Sequence, residues 1–374
     1  MAQDTIKKKS LRLALIASGH TLSDYSMVLQ RLLVGMVDAS IPVVMVCPPR
    51  VNMDPILTGN VEVVYYPFIE LPLADPYNRR RAAAELAKFG PTVMHCLCES
   101  RARFARRLSR RLNVPYVLSI NSLESGWAQS TVSAKRCSKI LVPAKTVESS
   151  VRRAHARMAD RIEHVNYGTF IEDEPVCFDN PDDLPSIVVA YPVDSADDFQ
   201  SLFAAMRHLI IEGYEFAVAV MGCGRAESQL YRMLKAFDLL NHVAIVPRLT
   251  NWPDVLAAGD IFVRPGPLGW FDPLLLEAMA KGSAVAACAG GVDDLLIPGE
   301  TAVIFDRGDE LSATKALQGL LDTRERAREL AESARQHIKT HHSASGMIDR
   351  LLRVYDDALA WSMPGGGAAA RQGA

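Results

Sequence analysis

Long apolar runs are missing from this sequence. No stretch reaches about 18 uninterrupted apolar residues, the length that a membrane-spanning helix needs. Three lysines at positions 7–9 precede a short apolar run that Arg12 interrupts, and no small-residue cleavage site follows. We therefore expect a first buried strand at this position, rather than a signal peptide, and no transmembrane helix.

Cysteine is sparse and scattered. There are 7 cysteines in 374 residues, and only Cys96 and Cys98 are close together. A single C-x-C motif has no second pair that could complete a zinc site, so no metal site is predicted. An odd number of cysteines in a chain of this length favours reduced, buried thiols and a cytoplasmic location.

Net charge is also nearly absent, at −2, but the two halves of the chain differ. Residues 1–171 carry 24 of the 41 Lys and Arg and 13 of the 43 Asp and Glu, whereas residues 172–374 carry 17 and 30. A hydrophobic content of 49% with 22% charged residues excludes a disordered or collagen-like chain. The length exceeds one ordinary core, so the sequence predicts two globular domains, one basic and one acidic.

Short β-branched runs alternate with helix-patterned stretches in both halves. Apolar strands such as 42–47 (PVVMVC) and 216–221 (FAVAVM), separated by helices, predict parallel sheets covered on both faces, an α/β fold. Ligands of such sheets bind beyond the carboxyl ends of the strands, which points to the cleft between the domains. The predicted boundaries are an N-terminal domain at 1–172, an acidic linker at 173–185, a C-terminal domain at 186–345, a helix at 346–362 that packs back on the N-terminal domain, and a disordered tail at 363–374.

One segment carries a specific motif. Residues 260–305 read DIFVRPGPLGWFDPLLLEAMAKGSAVAACAGGVDDLLIPGETAVIF, in which L-E-A-M-A-K-G stands between a strand and a Gly-Gly turn. Three further motifs precede it in the matching order: 166–169 (NYGT), 220–224 (VMGCG) and 242–249 (HVAIVPRL). Together they resemble the GT-B glycosyltransferases, particularly the retaining enzymes of family 4. The resemblance covers roughly residues 11–360 and implies the GT-B fold, two doubly wound Rossmann-like domains facing across a cleft.

The resemblance implies that a sugar passes from a nucleotide-sugar donor to an acceptor with retention of anomeric configuration. No metal or other cofactor is implied, and the donor's own phosphate assists deprotonation of the acceptor. Glu277 is expected on the ribose, because it follows the helix start at Pro273 and a carboxylate can accept bonds from vicinal hydroxyls. Alternatively, Glu277 is a helix-start acid stabilised by the macrodipole. The other residues expected to bind the donor are Phe271, Gly222, Gly224, Arg225, Val246, Arg248, Gly290 and Gly291.

Several positions depart from the family pattern. Gly269 stands where the first glutamate of the E-x7-E pair is expected, and Asp272 is a neighbouring carboxylate. The stretch 191–198 (YPVDSADD) carries three aspartates where the family has an arginine and a lysine that neutralise the diphosphate. Candidate substitutes for those cations are Arg225, Arg248 and Arg264.

A histidine of the first domain in the family pattern is replaced by Asn121, which cannot shuttle a proton at neutral pH. We predict Asn121 and Asp272 as the catalytic residues. The alternative is a catalytically inactive GT-B protein that binds a nucleotide sugar or scaffolds polysaccharide assembly. An epimerase on the same two-domain plan would need more carboxylates and histidines in the cleft than the sequence offers.

The first domain is expected to hold a saccharide or lipid-linked acceptor, with Gly19 and His20 in a polar loop that runs to Asp24, and with His95 at a strand end. Helix 99–112 carries six arginines around an apolar stripe, which predicts either peripheral contact with an anionic membrane at its inner face or a solvated helix surface. No aromatic platform accompanies these arginines, so no nucleic-acid partner is expected.

Overall fold

The computed structural model describes residues 10–49, 61–67, 75–123, 132–171, 177–180, 182–222, 224–246 and 252–361. The chain divides into two compact units: unit 1 contains residues 1–168 and 344–374, and unit 2 contains residues 169–343. Part of the predicted linker belongs to the core of unit 2, because Cys177 and Phe178 are buried there. The predicted tail at 363–374 lies outside the described residues.

Each unit is built around one parallel sheet. The sheet of unit 1 has the strand order β3-β2-β1-β4-β5-β6-β7, and that of unit 2 has the order β10-β9-β8-β11-β12-β13. The bounds in unit 1 are β1 Leu13–Ile16, β2 Val43–Cys47, β3 Glu62–Tyr65, β4 Val93–Cys96, β5 Tyr116–Ser119, β6 Cys137–Val142 and β7 Ile162–His164. Those in unit 2 are β8 Ser186–Ala190, β9 Ala217–Met221, β10 Val243–Val246, β11 Ile261–Arg264, β12 Ala284–Cys288 and β13 Val303–Phe305.

The strands are apolar on both faces because helices cover both sides of each sheet. All residues of β1, β2, β4, β11 and β12 are buried. The register is set by in-phase parallel pairing, in which Leu13 of β1 lies opposite Val43 on one side and Val93 on the other. Strand β7, at the edge of the first sheet, is not predicted by the sequence pattern.

Helices follow most of the described strands. They are α1 Gly19–Asp24, α2 Ser26–Asp38, α3 Asp75–Phe89, α4 Ala102–Leu112, α5 Lys145–Ala154, α6 Gln200–Ile211, α7 Glu227–Ala236, α8 Trp252–Ala257, α9 Pro273–Lys281, α10 Glu310–Asp322, α11 Arg324–His341 and α12 Ala344–Ala360. Helix α12 belongs to unit 1, where Leu351, Val354 and Tyr355 join the core cluster that contains β1 and α2.

Helix α1 corrects one expectation. The segment 19–24, predicted as a polar loop, forms a helix because Ser18 and Thr21 cap its first turn reciprocally: the Thr21 amide donates to Ser18 Oγ at 3.1 Å, and the Ser18 amide donates to Thr21 Oγ1 at 3.3 Å. This capping box satisfies two amides that a helix start otherwise leaves without partners. The short polar side chains that suggested a loop are therefore the signal for a helix start.

Candidate functional site

The reversal of strand order in unit 2 falls between β8 and β11, which pair in parallel. A ligand of a doubly wound sheet binds beyond the carboxyl ends of the strands at this switch point. The segments that leave the sheet there are 191–198 after β8 and 265–272 after β11. The second of these segments leads directly into α9, so the start of α9 lies at the same edge of the sheet.

Asp272 is the N-cap of α9. Its Oδ1 accepts hydrogen bonds from the amides of Leu274 at 3.0 Å and Leu275 at 3.2 Å, and Pro273 occupies the first helical position. The side chain is buried, and Oδ2 has no hydrogen-bond partner among the described residues. Burial raises the pKa of Asp272, which the positive charge of Arg264 partly opposes. Asp272 thus combines an explained capping role with one oxygen that can still accept a bond from a ligand.

Glu277 lies in the second turn of α9, not the first, and is 2% exposed. The hydroxyl of Thr169 donates to its Oε2 at 3.0 Å. The Thr169 contact helps to fix the orientation of this carboxylate, a group that can accept about four hydrogen bonds. Thr169 was not identified by sequence reasoning, because the residue lies 108 positions from Glu277 along the chain.

The turn Gly290–Gly291 follows β12, and both of its glycines have positive φ, of 103° and 79°. A Cβ on Gly291 would lie 2.1 Å from the carbonyl oxygen of Leu268, so only glycine fits there. The amide of Gly290 donates to Asp293 Oδ2 at 3.3 Å. The turn is therefore fixed by contacts within unit 2.

Arg264 does not take the place of a phosphate-binding cation. It is 0% exposed, and its guanidinium donates to the carbonyls of Val292 at 3.2 Å, Cys288 at 3.1 Å and Gly290 at 3.4 Å. The side chain holds the segment around the Gly290–Gly291 turn, which corrects the expectation that it could meet a diphosphate directly. Its Nε is buried without a hydrogen-bond partner among the described residues.

Gly222 and Gly224 allow the turn that follows β9 to approach the backbone of another segment closely. A Cβ on Gly222 would lie 2.3 Å from the Tyr191 carbonyl oxygen, and one on Gly224 would lie 2.2 Å from the Val193 carbonyl oxygen. The Gly224 amide donates to Glu227 Oε1 at 3.2 Å. These glycines pack the turn after β9 against the segment after β8, at the same edge of the sheet.

The remaining predicted donor residues are dispersed. Phe271 is buried and stacks on His342 with ring centroids 6.4 Å apart, and Val246 is half-buried at the end of β10. The Arg225 side chain is 90% exposed, with its Nε 3.9 Å from Asp194 Oδ1. Arg248 lies outside the described residues.

In unit 1 the residues predicted for the acceptor differ in their surroundings. Gly19 begins α1 with open space around its Cβ position, and the His20 side chain is 93% exposed on the same helix, 3.6 Å from Asp24. His95 is 2% exposed. Its Nδ1 lies 2.7 Å from the hydroxyl of Tyr355, and its Nε2 lies 2.8 Å from Ser119 Oγ. The imidazole therefore joins α12 to the sheet, and it also lines a pocket of unit 1.

Asn121 is also occupied. Its Nδ2 donates to the Leu97 carbonyl at 3.1 Å, and its Oδ1 accepts from the Tyr167 hydroxyl at 2.6 Å. One arrangement of protons fits the two groups of bonds: Tyr355 donates to His95 Nδ1 and His95 Nε2 donates to Ser119, while Tyr167 donates to Asn121.

Burial keeps the side chains of His95, Tyr355 and Tyr167 neutral. It lowers the pKa of His95 to about 3 and raises the pKa of Tyr355 and Tyr167. His95, Ser119, Asn121 and Tyr167 line a pocket of unit 1 with about 520 Å³ of empty space, counting its open mouth. None of the described residues that line the pocket is an acidic residue, a lysine or an arginine.

Cys98 is a feature that sequence reasoning assigned only to the core. It is the residue before a short 3₁₀ turn, Glu99–Arg101, and Ser100 Oγ donates to its sulfur at 3.3 Å. Hydrogen bonds from Cys96, and then from Ser100, Thr21 and Ser18, lower the pKa of the Cys98 thiol to about 5 against the opposing effect of burial. Sequence spacing gave no signal for the contributions of Thr21 and Ser18, because these hydroxyls come from α1 and its N-cap.

The described ranges were also compared with the requirements of a metal site and of a membrane-spanning helix. Within those ranges, no cluster of three or more His, Cys, Asp or Glu side chains could hold a metal ion. No helix there is both long and apolar enough to cross a membrane.

Known structures share this architecture. A glycosyltransferase from Rickettsia africae superposes with a TM-score of 0.76 at 12% identity, covering 95% of this chain and 100% of that one. The HepE protein of Anabaena in complex with UDP and glucose gives a TM-score of 0.74 at 12% identity, over 92% of this chain and 98% of that one. The chain has the GT-B fold. The predicted fold class is thereby confirmed, with parallel sheets of seven and six strands.

Sequence comparisons add a narrower similarity. A family described as glycosyl transferase-like matches residues 268–353, which include α9 and the Gly290–Gly291 turn. The sulfoquinovosyl transferase SQD2 of Arabidopsis thaliana is 22% identical over 306 residues, which is 74% of this chain and 58% of that protein. A GDP-mannose-dependent monoacylated alpha-(1-6)-phosphatidylinositol monomannoside mannosyltransferase of Corynebacterium glutamicum is 29% identical over 164 residues, 41% of this chain and 42% of that protein. The chain thus spans about half the length of these relatives.

Proposed function

We propose that this protein is a glycosyltransferase that transfers a hexose from a nucleotide-sugar donor to a saccharide or lipid-linked acceptor, without a metal. The observation that carries the proposal is helix α9, which begins at the carboxyl edge of the unit 2 sheet and holds two buried carboxylates, Asp272 and Glu277. The helix lies inside the segment matched by the glycosyl transferase-like family. The two relatives named above carry the names of glycosyl-group transferases, and HepE has been solved in complex with UDP and glucose.

The two carboxylates have different proposed roles. Glu277, oriented by Thr169, accepts hydrogen bonds from the two ribose hydroxyls of the donor. Asp272 accepts a bond from a hydroxyl of the transferred sugar through Oδ2, the oxygen that the helix cap does not use. An unpaired carboxylate oxygen in a buried site costs free energy, and a ligand hydroxyl that donates to it removes that cost.

The proposed reaction retains anomeric configuration. The bond between the anomeric carbon and the diphosphate oxygen breaks, the bond between that carbon and the acceptor oxygen forms, and the proton of the acceptor hydroxyl passes to the leaving phosphate. His95 and Asn121 take no part in this proton transfer. Both make hydrogen bonds inside unit 1, and the lowered pKa of His95, to about 3, leaves its ring neutral at pH 7.

The ribose contact can be tested by comparing nucleotides with and without ribose hydroxyls. We expect the wild-type protein to bind UDP or GDP about 10-fold or more tightly than the 2′,3′-dideoxy form, because two charge-assisted hydrogen bonds are lost. The variant Glu277→Gln should bind both forms with the same, weaker affinity in titration calorimetry. The matched control is Glu332→Gln, which removes a carboxylate from the exposed surface of α11. Equal affinity of the wild-type protein for both forms would contradict the assignment of Glu277.

A second candidate is a non-catalytic GT-B protein that binds a nucleotide sugar or scaffolds polysaccharide assembly. It is favoured by the side chain of Asp272, which places a carboxylate on the α9 amides that could otherwise meet an anion. It is also favoured by the position of Asn121, which hydrogen-bonds Leu97 and Tyr167. A panel of nucleotide sugars, followed by thermal shift and by release of nucleoside diphosphate, separates the two. The second candidate would be supported if a nucleotide sugar raised the unfolding temperature but no nucleoside diphosphate was released, whichever acceptor was added.

The acceptor side is proposed to include an anionic membrane. In α4 the residues Phe104, Ala105 and Leu108 are buried, whereas Arg103, Arg110 and Arg111 are exposed. Each arginine near an anionic surface contributes about 1 kcal/mol, so replacing all three by glutamine should weaken vesicle binding roughly 100-fold. The measurement is co-sedimentation with phosphatidylcholine vesicles that contain phosphatidylglycerol. Vesicles of phosphatidylcholine alone are the control, and equal binding to both would contradict the proposal.

A further inference from the structure

The switch point of unit 2 is closed by contacts between the segments that follow β8 and β11. The hydroxyl of Tyr191 donates to the Pro267 carbonyl at 3.1 Å. A Cβ on Gly266 would lie 2.7 Å from the Tyr191 hydroxyl and 3.5 Å from Asp198 Oδ1. The carboxylate of Asp198 therefore lies beside the turn that follows β11, where the strand order reverses.

Arg307 is brought to this point from the far edge of the sheet. It stands two residues after β13, and its Nη2 donates to Asp198 Oδ1 at 3.0 Å. The Asp198 side chain is 18% exposed, whereas that of Arg307 is 68% exposed. The ion pair thus fixes one end of the guanidinium near the switch point while most of the side chain remains in solvent.

The Gly290–Gly291 turn flanks the same place. A Cβ on Gly290 would contact Pro267 at 3.5 Å, and Pro267 accepts the bond from Tyr191 described above. The positive charge of Arg307 acts on both Tyr191 and Cys288, the last residue of β12. Through Asp198, Arg307 is therefore held near the segments after β8 and β11, which the Gly290–Gly291 turn flanks.

The other described arginines of this edge are less suited to a diphosphate. Arg264 is fully buried and is bound to three backbone carbonyls. Arg225 is 90% exposed and lies 3.9 Å from Asp194, beyond hydrogen-bonding distance. A guanidinium presents five N–H donors in a planar fork that matches phosphate oxygens, so Arg307 can bind a phosphate in the way it now binds Asp198.

We propose that Arg307 binds the diphosphate of the nucleotide-sugar donor, and that Asp198 competes with the diphosphate for it. This inference rests on the proposed function. The Asp198 carboxylate neutralises the guanidinium, and the donor's phosphate replaces that carboxylate on binding. Arg307, from the segment after β13, in this way takes the place of the cations that the family pattern has after β8. Asp198, in the segment after β8, sets how strongly Arg307 holds the diphosphate.

The proposal predicts effects of opposite sign for the two members of the pair. Titration calorimetry of the whole protein with UDP and with GDP should show an affinity about 10-fold lower in Arg307→Gln and several-fold higher in Asp198→Asn. Arg307→Lys, which keeps the charge but not the fork, should fall between wild type and Arg307→Gln. Uridine and guanosine, which carry no phosphate, should bind all these variants equally.

A matched control is available in the same unit. Arg207 pairs with Asp238 at 3.4 Å, and its side chain is 36% exposed in α6. Asp238 precedes β10, so this pair lies at the opposite edge of the sheet. Arg207→Gln removes the same charge and should leave the affinities for UDP and GDP unchanged.

Three results would overturn the inference in distinguishable ways. If Arg307→Gln binds the diphosphates as wild type does while Glu277→Gln loses affinity, Arg307 does not bind the phosphates and the proposed function stands. If the wild-type protein binds neither UDP nor GDP nor any nucleotide sugar, the proposed function fails and the inference fails with it. Weaker binding in Asp198→Asn would also contradict the competition, because it would mean that Asp198 only orients Arg307.

Discussion

The buried His95 should make unit 1 sensitive to mild acid. Its ring is 2% exposed and is held between Tyr355 and Ser119, neither of which carries a charge at neutral pH. Burial lowers its pKa from 6.5 to about 3 in the folded protein. In the unfolded chain the ring takes up its proton near pH 6.5, so the unfolded state binds more protons at every pH between these values.

The sign and size of the effect follow from this difference. The contribution of a base with a depressed pKa is complete above pH 6.5 and is lost as the pH falls toward 3. With those two pKa values, lowering the pH from 7 to 5 should reduce the free energy of unfolding by about 2 kcal/mol. Below pH 5 the loss continues at about 1.4 kcal/mol per pH unit until the folded ring is protonated.

The assay is urea unfolding of the wild-type protein and of His95→Gln at pH 7 and pH 5. Glutamine does not titrate, so the pH-dependent loss in the variant should be smaller than in wild type by about 2 kcal/mol. The matched control is His20→Gln, which removes a side chain that is 93% exposed and should leave the wild-type pH dependence unchanged. Equal pH dependence in wild type and His95→Gln, or a His95 ring that titrates above pH 5 by nuclear magnetic resonance, would refute the reasoning.

Three further predictions concern single positions. Gly291→Ala should destabilise unit 2 by roughly 2 kcal/mol or more in thermal unfolding, because φ is 79° and the new Cβ would lie 2.1 Å from the carbonyl oxygen of Leu268. The control is Gly269→Ala, which has open space at its Cβ position and should unfold like wild type. Asp272→Ala should lose about 1 kcal/mol with the helix cap, whereas Asp272→Asn keeps a cap and removes a buried charge, so it should unfold at the wild-type temperature or above it. The absorbance at 240 nm that Cys98→Ser removes should titrate near pH 5, and a midpoint near 9 would contradict the hydrogen bonds assigned to its sulfur.

The fold follows from local patterns that the sequence carries openly. Apolar runs such as 43–47 and 284–288 are short, β-branched or small, and free of polar residues, which suits only a strand buried on both faces. Helix α9 has its start at Asp272-Pro273 and its end at Gly282, whose φ is 83°. These signals act within a few residues of the chain, so periodicity and capping residues are enough to identify them.

The candidate site was only partly predictable. Asp272, Glu277 and the Gly290–Gly291 turn belong to one continuous motif, and the structure brings their elements to one edge of the unit 2 sheet. The assignment of His95 to the acceptor side did not anticipate Tyr355, which lies 260 residues further along the chain and encloses the imidazole. Arg264 shows the same limitation, since its three carbonyl partners lie 24 to 28 residues away.

The sequence by itself determined the described strands other than β7, the helix that carries Glu277, the glycine turn beside it and the division of charge between the two halves of the chain. Only the tertiary structure decided which charged and polar groups are available to a ligand. It buried Arg264 and His95 among partners distant in sequence, and it joined Arg307 to Asp198 across 109 residues. The physical reason is that helix and strand signals are local, whereas the availability of a side chain depends on desolvation and on partners that come together only when the chain folds.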